Sequence, residues 1–226
     1  MQKKAHDRIV DTGKEYHVDA YSEHKDIQTQ FKVFFNLALF CGLRRGELVA
    51  LEWSDFDFDQ NTVSISKSTS IIDGQLFTKP PKTESSNRLI SVPASIMAQV
   101  KLYREEQLEY RMNIGSAWED GNHLFTQWNG RQMYPSTPYG MFKKIIRWHN
   151  ESVTKEEYKL PEIPLHGLRH TSATLLISQN VDIRTVSGRL GHAQTSTTTD
   201  IYSHFLQKAD EAASNTLENL FHIKVK

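Results

Sequence analysis

The chain has 226 residues, 38% apolar and 24% charged, a composition typical of a folded globular protein and one that excludes wholesale disorder. Lysine plus arginine equals aspartate plus glutamate at 27 each, so overall charge gives no basis for binding nucleic acid, and any grip on phosphate has to be local. The longest apolar stretch, VFFNLALFCGL (33–43), is too short for a membrane span, the N-terminus lacks the apolar core of a signal peptide, and the single cysteine, Cys41, excludes an internal disulfide and fits a reducing cytoplasm.

Residues 1–22 are polar and aperiodic and read as a linker or lead-in. From about 24 to 41, Ile27, Phe31, Phe34, Phe35 and Ala38 recur at helical spacing, and Gly42 stands where such a helix stops. A short helix through GELVAL follows. TVSISKS (62–68), QLFTKPP (75–81) and RLISVP (88–93) are strand-like and separated by IDGQ and TESSN, which predicts a small three-stranded antiparallel sheet. Pro93 opens a helix over 94–112, HLFTQ (123–127) has strand character, and MFKKIIRWHN (141–150) is an amphipathic helix with a basic polar side. HGLRHTSATLLISQN and VDIRTVSGRLGH read as two further helices, and 206–221 as a last one. There is no internal repeat or low-complexity tract. The expected fold class is α+β, mainly helical, with the sheet inserted near the start.

Four short segments carry candidate chemistry. In HGLRH, His166 and His170 share a helix face, which allows a metal pair, ordinary polar surface or an anion grip. A zinc-protease helix needs Glu after its first histidine; here Gly167 stands there, Arg169 puts a cation beside the site, and no third ligand is close in sequence. In FCGLRRGEL, Arg44 lies in an apolar stretch and needs a partner, which Glu47 can supply as a local ion pair. Lys82, in KPPKTESSNRL, is either a solvated turn lysine or a mobile proton donor. Tyr202 follows the LGH segment by ten residues among polar neighbours, and a phenol attacks only where cations or a base stabilise its phenolate. Together, two arginines can hold one phosphate by forked bonds, histidines and a lysine can move protons, and a tyrosine can accept the phosphoryl group, all without a metal.

The segments GLRRGEL, PKTESSNR, HGLRHTSAT and LGHAQTSTTTDIYSH, in this order and spacing, resemble the catalytic domain of the tyrosine recombinases, the phage integrase family. The resemblance covers about residues 24–205. It implies that Arg44 and Arg169 clamp the scissile phosphate, that Lys82 is the general acid, that His166 and His192 assist proton transfer, and that Tyr202 is the nucleophile, with Glu47 supporting the first arginine and Arg45 and His170 beside key positions. The implied reaction is site-specific DNA strand exchange through a 3′-phosphotyrosine, with no cofactor and no metal, on double-stranded DNA and as a homotetramer. Relaxation of supercoils in the manner of a type IB topoisomerase, or DNA binding without catalysis, are the alternatives. The expected organisation is a lead-in (1–22), the catalytic domain (23–205) and a C-terminal helix or tail (206–226) whose apolar stripe, Leu206 to Phe221, docks either on its own domain or on a neighbouring protomer. Family members carry an additional N-terminal DNA-binding domain, so the chain is expected to be part of a longer protein.

Overall fold

In the computed structural model, residues 27–80, 87–192 and Ser214 are described. The first helix, α1 (Thr29–Phe40), is the centre of the fold. Its run of Phe31, Val33, Phe34, Phe35, Leu37 and Ala38 is buried on nearly every side, as an all-round apolar helix must be. Phe34 meets Phe125 at 4.9 Å between ring centroids, and Phe35 meets Phe142 at 5.4 Å. The polar intruder, Asn36, is satisfied by donating to Gln99 Oε1 at 2.6 Å. Gly42, at φ 64°, turns the chain out of the helix into α2 (Arg45–Ala50).

Around α1 pack α3 (Ala94–Ile114), entered through Pro93 as the sequence predicts, α4 (Thr137–Ser152), which carries proline in its first turn, and α5 (Gly167–Ser178). The last described helix, α6 (Ile183–Leu190), is capped by Asp182, whose carboxylate accepts from the backbone N–H groups of Arg184 and Thr185 at 3.0 Å. It packs on α5 through a small cluster of Ala173, Ile177, Val186 and Leu190.

The sheet differs in its make-up from the sequence expectation. Strands β1 (Phe56–Asp57), β2 (Thr62–Ile65) and β5 (Arg88–Ser91) form the three-stranded antiparallel sheet in the order β1-β2-β5. The segment QLFTK instead forms β4 (Gln75–Lys79), paired with β3 (Ser68–Ile72) in a separate two-stranded hairpin. Two local features explain this. The turn residues Asp73 and Gly74 both adopt positive φ, 49° and 78°, which suits a tight two-residue hairpin and commits β4 to its immediate predecessor. The predicted strand TVSISKS is also broken after Ile65, where Lys67 is held by Glu52 at 2.7 Å and Asp55 at 3.3 Å. HLFTQ makes only isolated bridges, Glu52 with His123 and Thr126 with Gln132, although Leu124 and Phe125 are fully buried. The register sets Val63 against Ile90, both buried, and places Arg88 opposite Ile65 at the inner end of β5.

Among the described residues no helix is long and apolar enough to cross a membrane. The stripe of the C-terminal tail lies outside the described residues, apart from Ser214, which is helical and exposed. Because Phe34 is fully buried against Phe35 and Phe125, Phe34→Ala is expected to cost about 3–5 kcal/mol of stability, measured as a shift in the urea unfolding midpoint at unchanged m-value.

Candidate active site

The site is assembled from three chain turns: the exit from α1, the start of α5 and the end of α6. Gly42 makes the first turn possible, since a Cβ there would lie 2.7 Å from Leu190 Cδ2 as well as in a left-handed backbone. Two residues on, Arg44 stands at the N-cap of α2 in extended conformation. Its backbone N–H donates to Glu47 Oε2 at 2.8 Å, and its Nη1 donates to Glu47 Oε1 at 2.8 Å. Nη2 reaches across to the carbonyl of Gly191 at 3.1 Å. The sequence reading of Arg44 as a buried cation needs correction: its side chain is 37% exposed, and the buried member of the pair is Glu47, at 6%. The ion pair and the open guanidinium coexist, because the remaining Arg44 N–H groups have no partner among the described residues.

Arg169 is the buried arginine, at 3% exposure. From the first turn of α5 it donates Nη1 to the carbonyl of Gly42 and Nη2 to the carbonyl of Leu190, each at 2.7 Å. Arg169 thus joins the turn at residue 42 to the end of α6, and Arg44, which follows the first turn, bonds to the second at Gly191. His166 is the N-cap residue of α5, three positions before Arg169, and its ring meets that of His170 edge-on at 4.8 Å. His192 follows Gly191 directly, its backbone N–H donating to Ser187 at 3.1 Å. Arg44, Glu47, His166, Arg169 and His192 are therefore brought together from positions up to 148 apart in sequence. Lys82 lies between β4 and β5, and Tyr202 ten residues past His192; both fall outside the described residues.

Sequence reasoning missed Arg88. Its side chain is only 7% exposed and donates Nη2 to Glu47 Oε2 at 2.8 Å, Nη1 to Glu47 Oε1 at 3.1 Å, and Nε to the carbonyl of Arg189 at 2.8 Å. A Cβ on Gly191 would sit 2.8 Å from Arg88 Nη1, so this glycine lets the chain lie over the guanidinium. Nothing local signals this, because an arginine at the start of a strand beside a polar turn has the look of a solvated residue.

A model of the phage integrase family matches residues 6–209. The chain belongs to the phage integrase family. It is 32% identical over 204 residues to a tyrosine recombinase XerC-like protein of Caldanaerobacter subterraneus subsp. tengcongensis, covering 85% of this chain and 50% of that protein. To the ICEBs1 integrase of Bacillus subtilis it is 30% identical over 195 residues, again 85% of this chain and 50% of the relative. The chain thus spans about half the length of these relatives. Among solved structures, the Tn1549 transposon integrase in complex with circular intermediate DNA superposes with a TM-score of 0.71 at 23% identity, over 87% of this chain and 62% of that one. At that identity the likeness is one of fold.

In this integrase-family site, electrostatics follow from the crowding of cations. Burial works to raise the pKa of Glu47, but the hydrogen bonds and charge of Arg88, then those of Arg44, outweigh it and hold the carboxyl below its ordinary range. Partial desolvation, then the charges of Arg169 and Arg44, lower the pKa of His166. His192 is lowered further, to about 4, by desolvation and then by Arg169, Arg44, His170 and Arg88. Both rings are consequently neutral at pH 7 and able to donate through one nitrogen and accept through the other. Among the described residues no group of three or more His, Cys, Asp or Glu is placed to hold a metal, and the arginine charges beside His166 would oppose one.

A histidine whose folded pKa lies below its unfolded value stabilises the native state above the unfolded pKa, and this contribution is lost as pH falls toward the folded one. We expect the His192 ring to titrate near pH 4 by NMR and stability to decline between about pH 6.5 and 4, where the unfolded chain takes up the proton first. A His192 midpoint at or above 6.5 would contradict this electrostatic picture.

Proposed function

We propose that this chain is the catalytic part of a site-specific DNA recombinase of the integrase type, acting in the cytoplasm. The observation that carries the reading is the pair of arginines, Arg44 and Arg169, both fastened to the end of α6 beside His166 and His192. Arg44 is anchored through Glu47 and the Gly191 carbonyl while its other N–H groups have no partner among the described residues and the side chain is part-exposed, which is how a preorganised phosphate donor is built. Two neutral histidines next to such a phosphate can donate a hydrogen bond to it or pass a proton.

In the reaction proposed, Tyr202 Oη attacks the scissile phosphorus as its proton leaves to a neighbouring base, with His166 or His192 as candidates. A 3′-phosphotyrosine forms, the bond to the 5′ oxygen breaks, and Lys82 protonates that oxygen. The reverse attack by a 5′-hydroxyl of a partner strand rejoins the DNA, so the bond energy is retained and neither ATP nor a metal is required. The catalytic unit is taken as residues 23–205, working as a tetramer on two duplexes, in service of a mobile element. Three features support this reading. Both the XerC-like relative and the ICEBs1 integrase carry recombinase or integrase names. The Tn1549 integrase shares the fold and was solved on DNA. Exposed Lys143, Lys144 and Arg147 on α4 give this neutral chain a local basic face.

Two experiments test the proposal. On a suicide substrate in buffer containing EDTA, the wild-type chain should form a covalent DNA adduct and Tyr202→Phe should bind DNA without forming one; an adduct of undiminished yield in the variant removes Tyr202 from the role. Lysine in place of Arg44 or Arg169 keeps the charge and loses the fork, and should slow single-turnover cleavage by roughly 100-fold or more. Near-normal rates in both lysine variants would sink the clamp.

A further inference from the structure

Glu47 is one carboxylate with two arginines. Arg44 takes one side chain bond from it, to Oε1, and Arg88 takes a bond from each oxygen. Arg88 also exerts the larger effect on the carboxyl's proton affinity. The three side chains carry two positive charges and one negative, so one positive charge is left over, and the exposures decide where it faces. Arg88 and Glu47 are 7% and 6% exposed, whereas Arg44 is 37% exposed. The surplus therefore appears at Arg44, the member that reaches solvent. The network is also a closed tie between elements. Arg88 begins β5 and holds the Arg189 carbonyl, while Arg44 begins α2 and holds the Gly191 carbonyl, so both arginines pin the end of α6 on which His192 follows.

We infer that Arg88 is a positioning residue: by sharing Glu47 with Arg44 and fastening the end of α6, it leaves the positive charge of Arg44 uncompensated and correctly placed for a DNA phosphate. This rests on the proposed phosphate-clamp reading of Arg44. Without Arg88, Glu47 becomes the undivided partner of Arg44, and the charge that faces the phosphate is cancelled.

The test compares Arg88→Met, Arg88→Lys and the double variant Glu47→Gln with Arg88→Met, using the whole 226-residue chain. Arg88→Met removes one partner of a buried pair and is the variant at risk of misfolding; the double variant removes both charges and restores the single surplus charge on Arg44. Two readouts are taken, single-turnover cleavage of a suicide substrate and the NMR titration of His192. We expect Arg88→Met to cleave about 10- to 100-fold more slowly than wild type, a weakened rather than a deleted donor. Arg88→Lys and the double variant should each recover part of that loss. His192, which faces Arg169, Arg44, His170 and Arg88, should titrate higher in Arg88→Met and move back down in the double variant. A double variant no faster than Arg88→Met, or no slower-cleaving variant at all beside an active wild type, would overturn the inference, as would an unmoved His192 midpoint. An inactive wild type would instead count against the recombinase reading, while the His192 titration still decides the role of Arg88.

Discussion

Everything at the candidate site depends on a carboxylate placed where carboxylates are costly. Glu47 is 6% exposed, and burial alone would favour its neutral form. Four hydrogen bonds, two from Arg88 and one side-chain and one backbone bond from Arg44, keep it ionised. A buried pair is weak evidence for stability, because well-packed apolar residues could serve as well. Its use here is geometric: it sets two guanidinium groups in fixed planes and aims one of them outward.

The second constraint is that the arginines bond to carbonyls at chain turns. Arg169 ties Gly42 to Leu190, and Arg44 ties itself to Gly191. The carbonyls of Leu190 and Gly191 stand at the C-terminal end of α6, which carries partial negative charge and accepts cationic donors well. Two glycines make the approach possible. Gly42 and Gly191 adopt φ of 64° and 66°, and a side chain on either would collide, with Leu190 in one case and Arg88 in the other. Thus the segments GLRRGEL and LGH meet directly, through Gly42 against Leu190 and through the Arg44 bond to the Gly191 carbonyl.

How much of this was legible in the sequence follows from whether the signal was local. The apolar spacing of Phe31, Phe34, Phe35 and Ala38 gives α1 directly, because its period is a property of the segment itself. The i,i+3 pairing of Arg44 with Glu47 is likewise readable at short range, though not that Glu47 is its buried member. Arg88 was not readable, because its partners Glu47 and Arg189 are 41 and 101 residues away and its own neighbourhood is a polar turn. The three-stranded antiparallel sheet is present, with TVSI and RLIS in it, but its third strand is β1 rather than QLFTK, because β1 is two residues long and carries no period while QLFTK pairs in its own hairpin. The resemblance of four motifs supplied what periodicity could not, a reason to expect residues 44, 166, 169 and 192 in one place.

The neutral composition is then no obstacle to gripping a polyanion. With 27 basic and 27 acidic residues the far field is weak, so long-range attraction to DNA is small and screened within about 10 Å at ordinary salt. What remains is local concentration. Arg44 and Arg88 share the carboxylate of Glu47, and partial desolvation followed by the charges of Arg169, Arg44, His170 and Arg88 lowers His192 to about 4. The part of that shift owed to the four cations reflects a positive potential at His192 that a further anion would offset. A bound phosphate would supply that anion, raising the proton affinity of His192 and relieving the mutual repulsion of the arginines together. The same residues that make the empty site unwelcoming to a proton therefore make it favourable to a phosphate, and the two effects have one cause.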